Sequence, residues 1–331
     1  LTLTGCVISP RRTISGGGGG GGTANGRLYV SNDANNSIVR FDNAFTANGN
    51  VTPGGIISGA STQLSNPQYI FLDASADRLF VANANASNIL IFDNASTLNG
   101  NIAPTRAITS ASLATPTDVA LDKGRDLLYV ADNNQILVFA SASTVNGLTT
   151  PVRSIQPGFT AGAIFIDAAD DRLFAADPAT NSINVFDGAS TLNGTVSVNR
   201  RVVGADTQLA QPFGLQIDSA GRLVVANFAP ASITIYTNAA AVSGDQAPAA
   251  VISGSNTNLA GPTQMTINTV ASAGELFVAD PFGGNVAVFG SLGTLTGNQN
   301  IAPLRNITGP NTTISGTTSA TARGVAIDTT R

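Results

Sequence analysis

Histidine and tryptophan are absent from this chain, and it holds one cysteine, one methionine, one lysine (Lys123) and one glutamate (Glu275). Without His, the commonest general base and a frequent metal ligand are missing, and Ser-His-Asp or Cys-His catalytic systems are excluded. A single Cys forms no internal disulfide. Charged residues make up only 11% of the chain and are nearly all Asp and Arg, so the strong surface-helix formers Lys and Glu are almost missing. The net charge of −4 gives no basic field for a phosphate backbone, which argues against nucleic acid as a partner. No apolar run is long enough to span a bilayer as a helix, and no stretch keeps a 3.6-residue apolar stripe. What abounds is Gly, Asn, Thr, Ser and Val, residues of turns and strands. The composition is that of an all-β protein.

Against that background one phrase recurs six times: RLYVSND (27–33), RLFVANA (78–84), LLYVADN (127–133), RLFAADP (172–178), RLVVANF (222–228) and ELFVADP (275–281). Counted on its leucine, the spacings are 51, 49, 45, 50 and 53 residues. A unit of that size cannot bury its own apolar faces and must stack on its neighbours. Residues 115–155 give one unit: an apolar run closed by Asp122, the turn 123–126, a second run (127–132), the loop Asn133-Asn134, a third run (135–140) and a fourth (151–155). Four short runs with tight connections predict an antiparallel meander. The first two runs are apolar on both faces, as in Tyr69-Ile70-Phe71-Leu72, so both faces must be covered. Radial packing of sheets around an axis supplies that cover. The fourth run carries Arg106, Arg153, Arg200, Arg201 and Arg305, read as charges that protect an exposed sheet edge. Asn-Gly at 48–49, 99–100, 146–147 and 193–194, replaced by Ser243-Gly244 and Thr296-Gly297, marks tight reversals before it.

Counting runs sets the blade number. Innermost strands are expected at 68–73, 117–122, 162–167, 213–218, 263–268 and 323–328. The first second-strand (28–32) has no innermost strand before it, and the last innermost strand has no second strand after it. The expected fold is a six-bladed β-propeller of four-stranded antiparallel blades over residues 26–331, its ring closed by the C-terminal strand joining the N-terminal blade. Residues 1–25 are set apart from it as a Gly-rich linker segment.

Residues 116–132 and 212–227 resemble NHL-type blades, and the layout of all six units is similar to that of YncE-like bacterial surface propellers. The resemblance is specific for fold. RNA-binding NHL domains carry a basic upper face, whereas here that face would bear Asn, Asp, Ser and Pro, so the RNA role does not transfer. Leu3-Thr4-Gly5-Cys6 in turn resembles the lipobox of bacterial lipoproteins. That resemblance implies a signal-peptide remnant at 1–5, a lipid on Cys6, and, with Val7 following instead of Asp, the outer membrane or cell surface of a bacterial envelope. Residues 7–25, including Gly16–Gly22, would then act as a flexible tether with a reach of about 25 Å.

Second strands end in Asn32, Asn83, Asp132, Asp177, Asn227 and Asp280, which with Asp33 and Asp118 are placed at the upper rim near the channel. Such oxygens either hold a hard cation such as Ca²⁺ or a polar ligand, or cap their own turns. Phe228 and Phe282 depart from the repeat and read as one side of a binding patch or as core filling. The pairs Asp73/Arg78, Asp167/Arg172 and Asp218/Arg222 read as structural turn bonds. Streptogramin-lyase propellers depend on His, and gluconolactonase-like ones on a metal held by Glu, Asn and Asp; here Glu275 falls at the wrong strand end. The function expected is binding or scaffolding of protein or glycan partners at the cell envelope. The alternatives are a Ca²⁺-dependent lactonase, hydrolase or lyase at the channel mouth, and a structural surface or filament subunit.

Overall fold

The structure, a computed structural model, describes residues 25–268, 274–314 and 322–331. They form six sheets arranged as the blades of a propeller. Blade 1 comprises Arg27–Asn32, Ser37–Phe41 and Gly55–Ser58, with Ala322–Asp328 as its innermost strand. Blades 2 to 6 begin with the innermost strands Pro67–Asp73, Pro116–Asp122, Ala163–Asp167, Pro212–Ile217 and Met265–Asn268. Each runs on as an antiparallel meander to an outer strand: Arg106–Thr109, Arg153–Gln156, Arg200–Val202, Ala250–Ser253 and Arg305–Thr308. The expected innermost strands all lie within two residues of these bounds. No described helix is long and apolar enough to cross a membrane.

The ring closes as the strand count requires. Ala322–Asp328 pairs antiparallel with Arg27–Asn32, placing Ile327 opposite Leu28 and Val325 opposite Val30. The turn beyond it is fixed by the Gly26 N–H donating to the Arg331 carbonyl (2.9 Å) and by Arg331 on Asp328 (2.7 Å).

Apolar residues on both faces of the second strands have a direct structural cause. Successive side chains on a strand point to opposite faces, and each face belongs to a different inter-blade core. In blade 2, Leu79 and Val81 pack into the core shared with blade 1, while Phe80 and Ala82 pack into that shared with blade 3. Six such clusters lie one at each blade junction. The junction of blades 6 and 1 joins Leu28, Val30 and Val325 to Phe277, Val286 and Ile307.

Two features read from sequence have a different role from the one expected. Every Gly of the six Asn-Gly-type pairs has positive φ, between 63° and 88°, but the pair does not simply reverse its own chain. It lies parallel on the outer strand of the preceding blade. Asn99 Oδ1 accepts the Ile56 N–H (2.9 Å), the Gly100 N–H donates to Ile56 O (2.7 Å), and Gly100 O accepts from Ser58 (3.1 Å). The same three bonds join Asn48-Gly49 to Asn306 and Thr308 across the closing junction (2.9, 2.8 and 3.1 Å). An added Cβ on these glycines meets nothing within 4 Å, so φ and not space selects Gly.

The arginines likewise do not fringe an open edge; most of them cross to the next blade. Arg106 donates to Ala142 O and Val145 O (3.2 and 3.3 Å), Arg200 to Ala239 O and Ala240 O (3.2 and 2.5 Å), and Arg40 to Leu98 O (2.9 Å). Arg201 is the exposed exception. Arg222 donates to Leu292 O (2.6 Å), continuing the pattern between blades 5 and 6. Of the expected turn pairs, Asp218/Arg222 forms at 2.6 Å and Asp167/Arg172 only loosely at 3.9 Å, whereas Arg78 turns to Asp93 (2.5 Å) and Asp73 to Lys123 (3.2 Å). Glu275 is bound by Arg305 (2.8 Å).

Two outcomes follow for stability. Deleting 322–331 removes one strand and opens two edges, so the variant is expected to lose its cooperative thermal melt and to aggregate, as read by circular dichroism and size-exclusion chromatography. Arg106→Ala strands two carbonyls previously served by a half-buried cation, and should cost about 2–3 kcal/mol in urea unfolding. Arg106→Lys, which keeps the charge but lacks the second terminal nitrogen that faces Asp93 at 3.7 Å, should restore only part.

Candidate functional site

Counting four residues back from the Asp or Asn that closes each innermost strand gives one layer of the channel: Gly324, Tyr69, Asp118, Ala163, Gly214 and Gln264. Three are large and three small, so the sixfold repeat is broken here. Gln264 uses room left by a small residue. Gln264 lies against Gly324, where a Cβ would sit 2.8 Å from Gln264 Oε1. It accepts from Ile70 and Val325 N–H (3.1 and 2.8 Å) and donates to Ile70 O (2.9 Å), tying blades 6, 1 and 2 together. Tyr69 spans the channel to blade 5, where its hydroxyl donates to Phe213 O (2.8 Å). Asp118 accepts the N–H of Val119 and of Ile164 in blade 4 (both 2.8 Å).

Tyr69 lines two spaces. One is a cavity of about 150 Å³ inside the channel, lined among others by Asp118, Leu121, Ile166, Gln216 and Thr266. The other, of about 240 Å³, opens at the end of the ring where the second strands finish, hereafter the upper face. Its walls are Phe213, Pro178, Ala161, Gln68 and Arg323. The tyrosine ring is therefore the partition between them.

An aromatic ridge leads to the upper cavity. Phe213 and Phe228 meet edge to face at 5.5 Å, and Phe228 and Phe282 at 5.1 Å. Phe282, in the turn after the second strand of blade 6, is 66% exposed. Gly261 lies beneath: a Cβ there would sit 3.0 Å from both Phe228 and Phe282. The two phenylalanines singled out from sequence are thus brought together, and Phe213 completes the row. Phe213 passed unnoticed because it opens an apolar innermost strand, where an aromatic carries no distinguishing signal.

The six residues ending the second strands are buried and bonded to backbone. Asn83 accepts from Ser65 N–H (2.7 Å), Asp132 from Ala114 and Thr115 (3.0 and 2.5 Å), and Asn227 from Ala210 (3.0 Å). Asp280 accepts from Ala260, Gly261 and Gly283 (2.6, 3.0 and 2.8 Å), and Asp177 from Ala179 and Thr180 (3.1 and 3.3 Å). Asn32 accepts from Asn35 N–H (3.1 Å) and donates to Thr313 O (2.7 Å). Four of them hold the chain arriving from the preceding blade; Asp177 and the Asn32 carbonyl oxygen hold their own turns. Ca²⁺ takes six to eight oxygen ligands, and this donor set does not suit it. Asp118, the acidic side chain among the described channel-lining residues, gives an amide to each oxygen, and no described group of three His, Cys, Asp or Glu is placed to hold a metal. Cys6 lies outside the described residues.

No protein-family model matches the chain, and no curated protein matches it. Solved structures do. A chain of the nidogen/laminin complex is similar with a TM-score of 0.61 at 14% identity, covering 92% of this chain and 98% of that one. A functionally unknown protein from Desulfotomaculum acetoxidans DSM 771 is similar with a TM-score of 0.56 at 10% identity, covering 91% and 99%. At such identities the likeness is one of fold: an all-β six-bladed propeller.

Burial pushes the Asp118 carboxyl up to about 7, against the two amides that favour its anion. The folded state therefore holds this proton more tightly than the unfolded chain does. Its contribution to stability is full below the ordinary carboxylate value and is lost as pH rises through about 7. Burial raises Asp33 and Asp280 in the same sense. Stability should fall from pH 4 to 7, and Asp118→Asn should flatten that slope, as measured by urea unfolding across pH.

Proposed function

We propose that this protein is a binding module that engages a protein partner through the upper face of the propeller. The observation that carries the reading is the row Phe213–Phe228–Phe282, which exposes aromatic surface and ends in a cavity walled by Phe213 and Pro178. Exposed aromatics beside a preformed apolar cavity are the usual anchors of protein interfaces. Because the ridge meets solvent through Phe282 and the cavity through Phe213, a partner's side chain can be seated while its backbone crosses the rings. The nidogen/laminin neighbour comes from a protein complex, which fits this use of the fold without naming a partner for this chain.

We further propose that the head is tethered to a bacterial envelope in the manner of NHL- or YncE-like surface propellers, with the lipid on Cys6 and residues 7–25 as the tether. What supports this is the match of Leu3-Thr4-Gly5-Cys6 to a lipobox and the glycine run that follows it. Cys6→Ser should then release a folded head from the membrane fraction.

A photo-crosslinking residue placed at 282 tests the upper-face reading in cells of the native host. A discrete adduct is expected at 282 and none at 304, an exposed apolar position on the outer rim. Equal labelling at both positions, or none at 282, sinks the proposal.

A further inference from the structure

The charges around the upper cavity point to the kind of segment it takes. Arg323 lines the cavity together with Phe213. Among the described residues its side chain makes two polar contacts, both through Nε: a hydrogen bond to Gln68 Oε1 (3.0 Å) and an ion-pair contact to Asp33 Oδ2 at 3.9 Å, beyond hydrogen-bond length. The Asp33 carboxyl makes no hydrogen bond to Arg323, and its Oδ1 is buried with no hydrogen-bond partner among the described residues. Arg201 stands on the outer flank of the same loop, Pro178 to Ser182. It donates to the hydroxyls of Thr180 (2.7 Å) and Ser182 (3.1 Å), not to a carboxylate. A protein with net charge −4 therefore places, among the described residues, one under-neutralised guanidinium on the wall of its apolar upper cavity and a second on the outer side of a loop whose Pro178 and Ala179 form part of that wall.

Size and shape narrow the choice. An apolar cavity of about 150 Å³ takes a benzene ring, so the 240 Å³ here accommodates one aromatic side chain. Tyr69 closes the floor, which stops a longer group from entering the channel. We infer that the upper cavity binds a partner segment in which an aromatic side chain is flanked by carboxylates. The ring would sit between Phe213, Pro178 and Tyr69, with one carboxylate on the terminal nitrogens of Arg323 and another toward Arg201. Arginine suits this work because its planar group binds a carboxylate through two parallel hydrogen bonds. The inference rests on the upper-face reading and adds to it the chemistry of the ligand.

The probe is a fluorescein-labelled synthetic peptide with a central phenylalanine flanked by aspartates, titrated with the full chain and read by fluorescence anisotropy. Saturable binding is expected, about tenfold weaker or more when the phenylalanine becomes serine or the aspartates become lysines. Arg323→Gln should weaken binding by about fivefold or more and reduce its salt dependence, and Phe228→Ser should weaken it as well. Asp33→Asn, which removes the competing carboxylate, should tighten it. Leu304→Ser should leave it unchanged. Melting curves identify any variant that fails to fold, and Arg201→Gln then serves as the second charge variant. Equal binding of aspartate and lysine peptides, indifference to both arginines, or no saturable binding overturns the inference. An adduct at 282 together with any of these results leaves the upper-face reading standing with another ligand chemistry. Peptide binding without an adduct sinks the cellular reading alone.

Discussion

The structure depends on each blade being unable to bury itself. Its second strand has apolar residues on both faces, and each face is satisfied only by a different neighbour, Leu79 by blade 1 and Phe80 by blade 3. Stability is therefore a property of junctions, and a chain of junctions has two loose ends unless it is circular. The strand Ala322–Asp328 removes both ends by completing blade 1. The hydrogen bonds repeat the logic of the cores: Asn99-Gly100 lies on blade 1, Asn48-Gly49 lies on blade 6, and arginines such as Arg106 and Arg200 reach forward to carbonyls of the next blade. Backward strand pairing and forward guanidinium bonds together lock neighbouring blades from both directions.

A fold built from six like units gains function where the likeness fails. In the channel layer, Tyr69, Asp118 and Gln264 share the ring with Gly324, Ala163 and Gly214, and Gln264 fills the space left by Gly324. The result is a channel closed near its upper end, with Tyr69 as the partition. On the upper face, phenylalanines gather over blades 5 and 6, and Arg323 of the neighbouring blade 1 stands on the cavity wall with Phe213. That asymmetry brings aromatic rings and a guanidinium to one cavity, which a strictly repeated sequence would not provide.

The architecture was legible because its determinants are local. Asp73, Asp122 and Asp167 end innermost strands, RLFVAN-type phrases mark second strands, and an unmatched strand at each end of the chain implies closure. What was not legible is long range. A dipeptide does not disclose its neighbour: Asn99-Gly100 signals positive φ, but nothing in it says that its partner is Ile56 in the preceding blade. Arg106 on an outer strand looks like an edge charge until the carbonyls of Ala142 and Val145 are seen beside it. The candidate site divides in the same way. Phe228 and Phe282 were visible as departures from the repeat, whereas Phe213 and Tyr69 hid among apolar strand residues, and Arg323 gave no sign of facing a cavity.

The claim on which the account rests is that the two ends of the described propeller share one blade, and native-state hydrogen exchange read by mass spectrometry tests it most directly. Peptides covering 27–32 and 322–328 should be protected together, opening at the same rate as the innermost strand 116–122 of blade 3. Exchange of 322–328 orders of magnitude faster than 116–122, with 27–32 still protected, would contradict the closed ring.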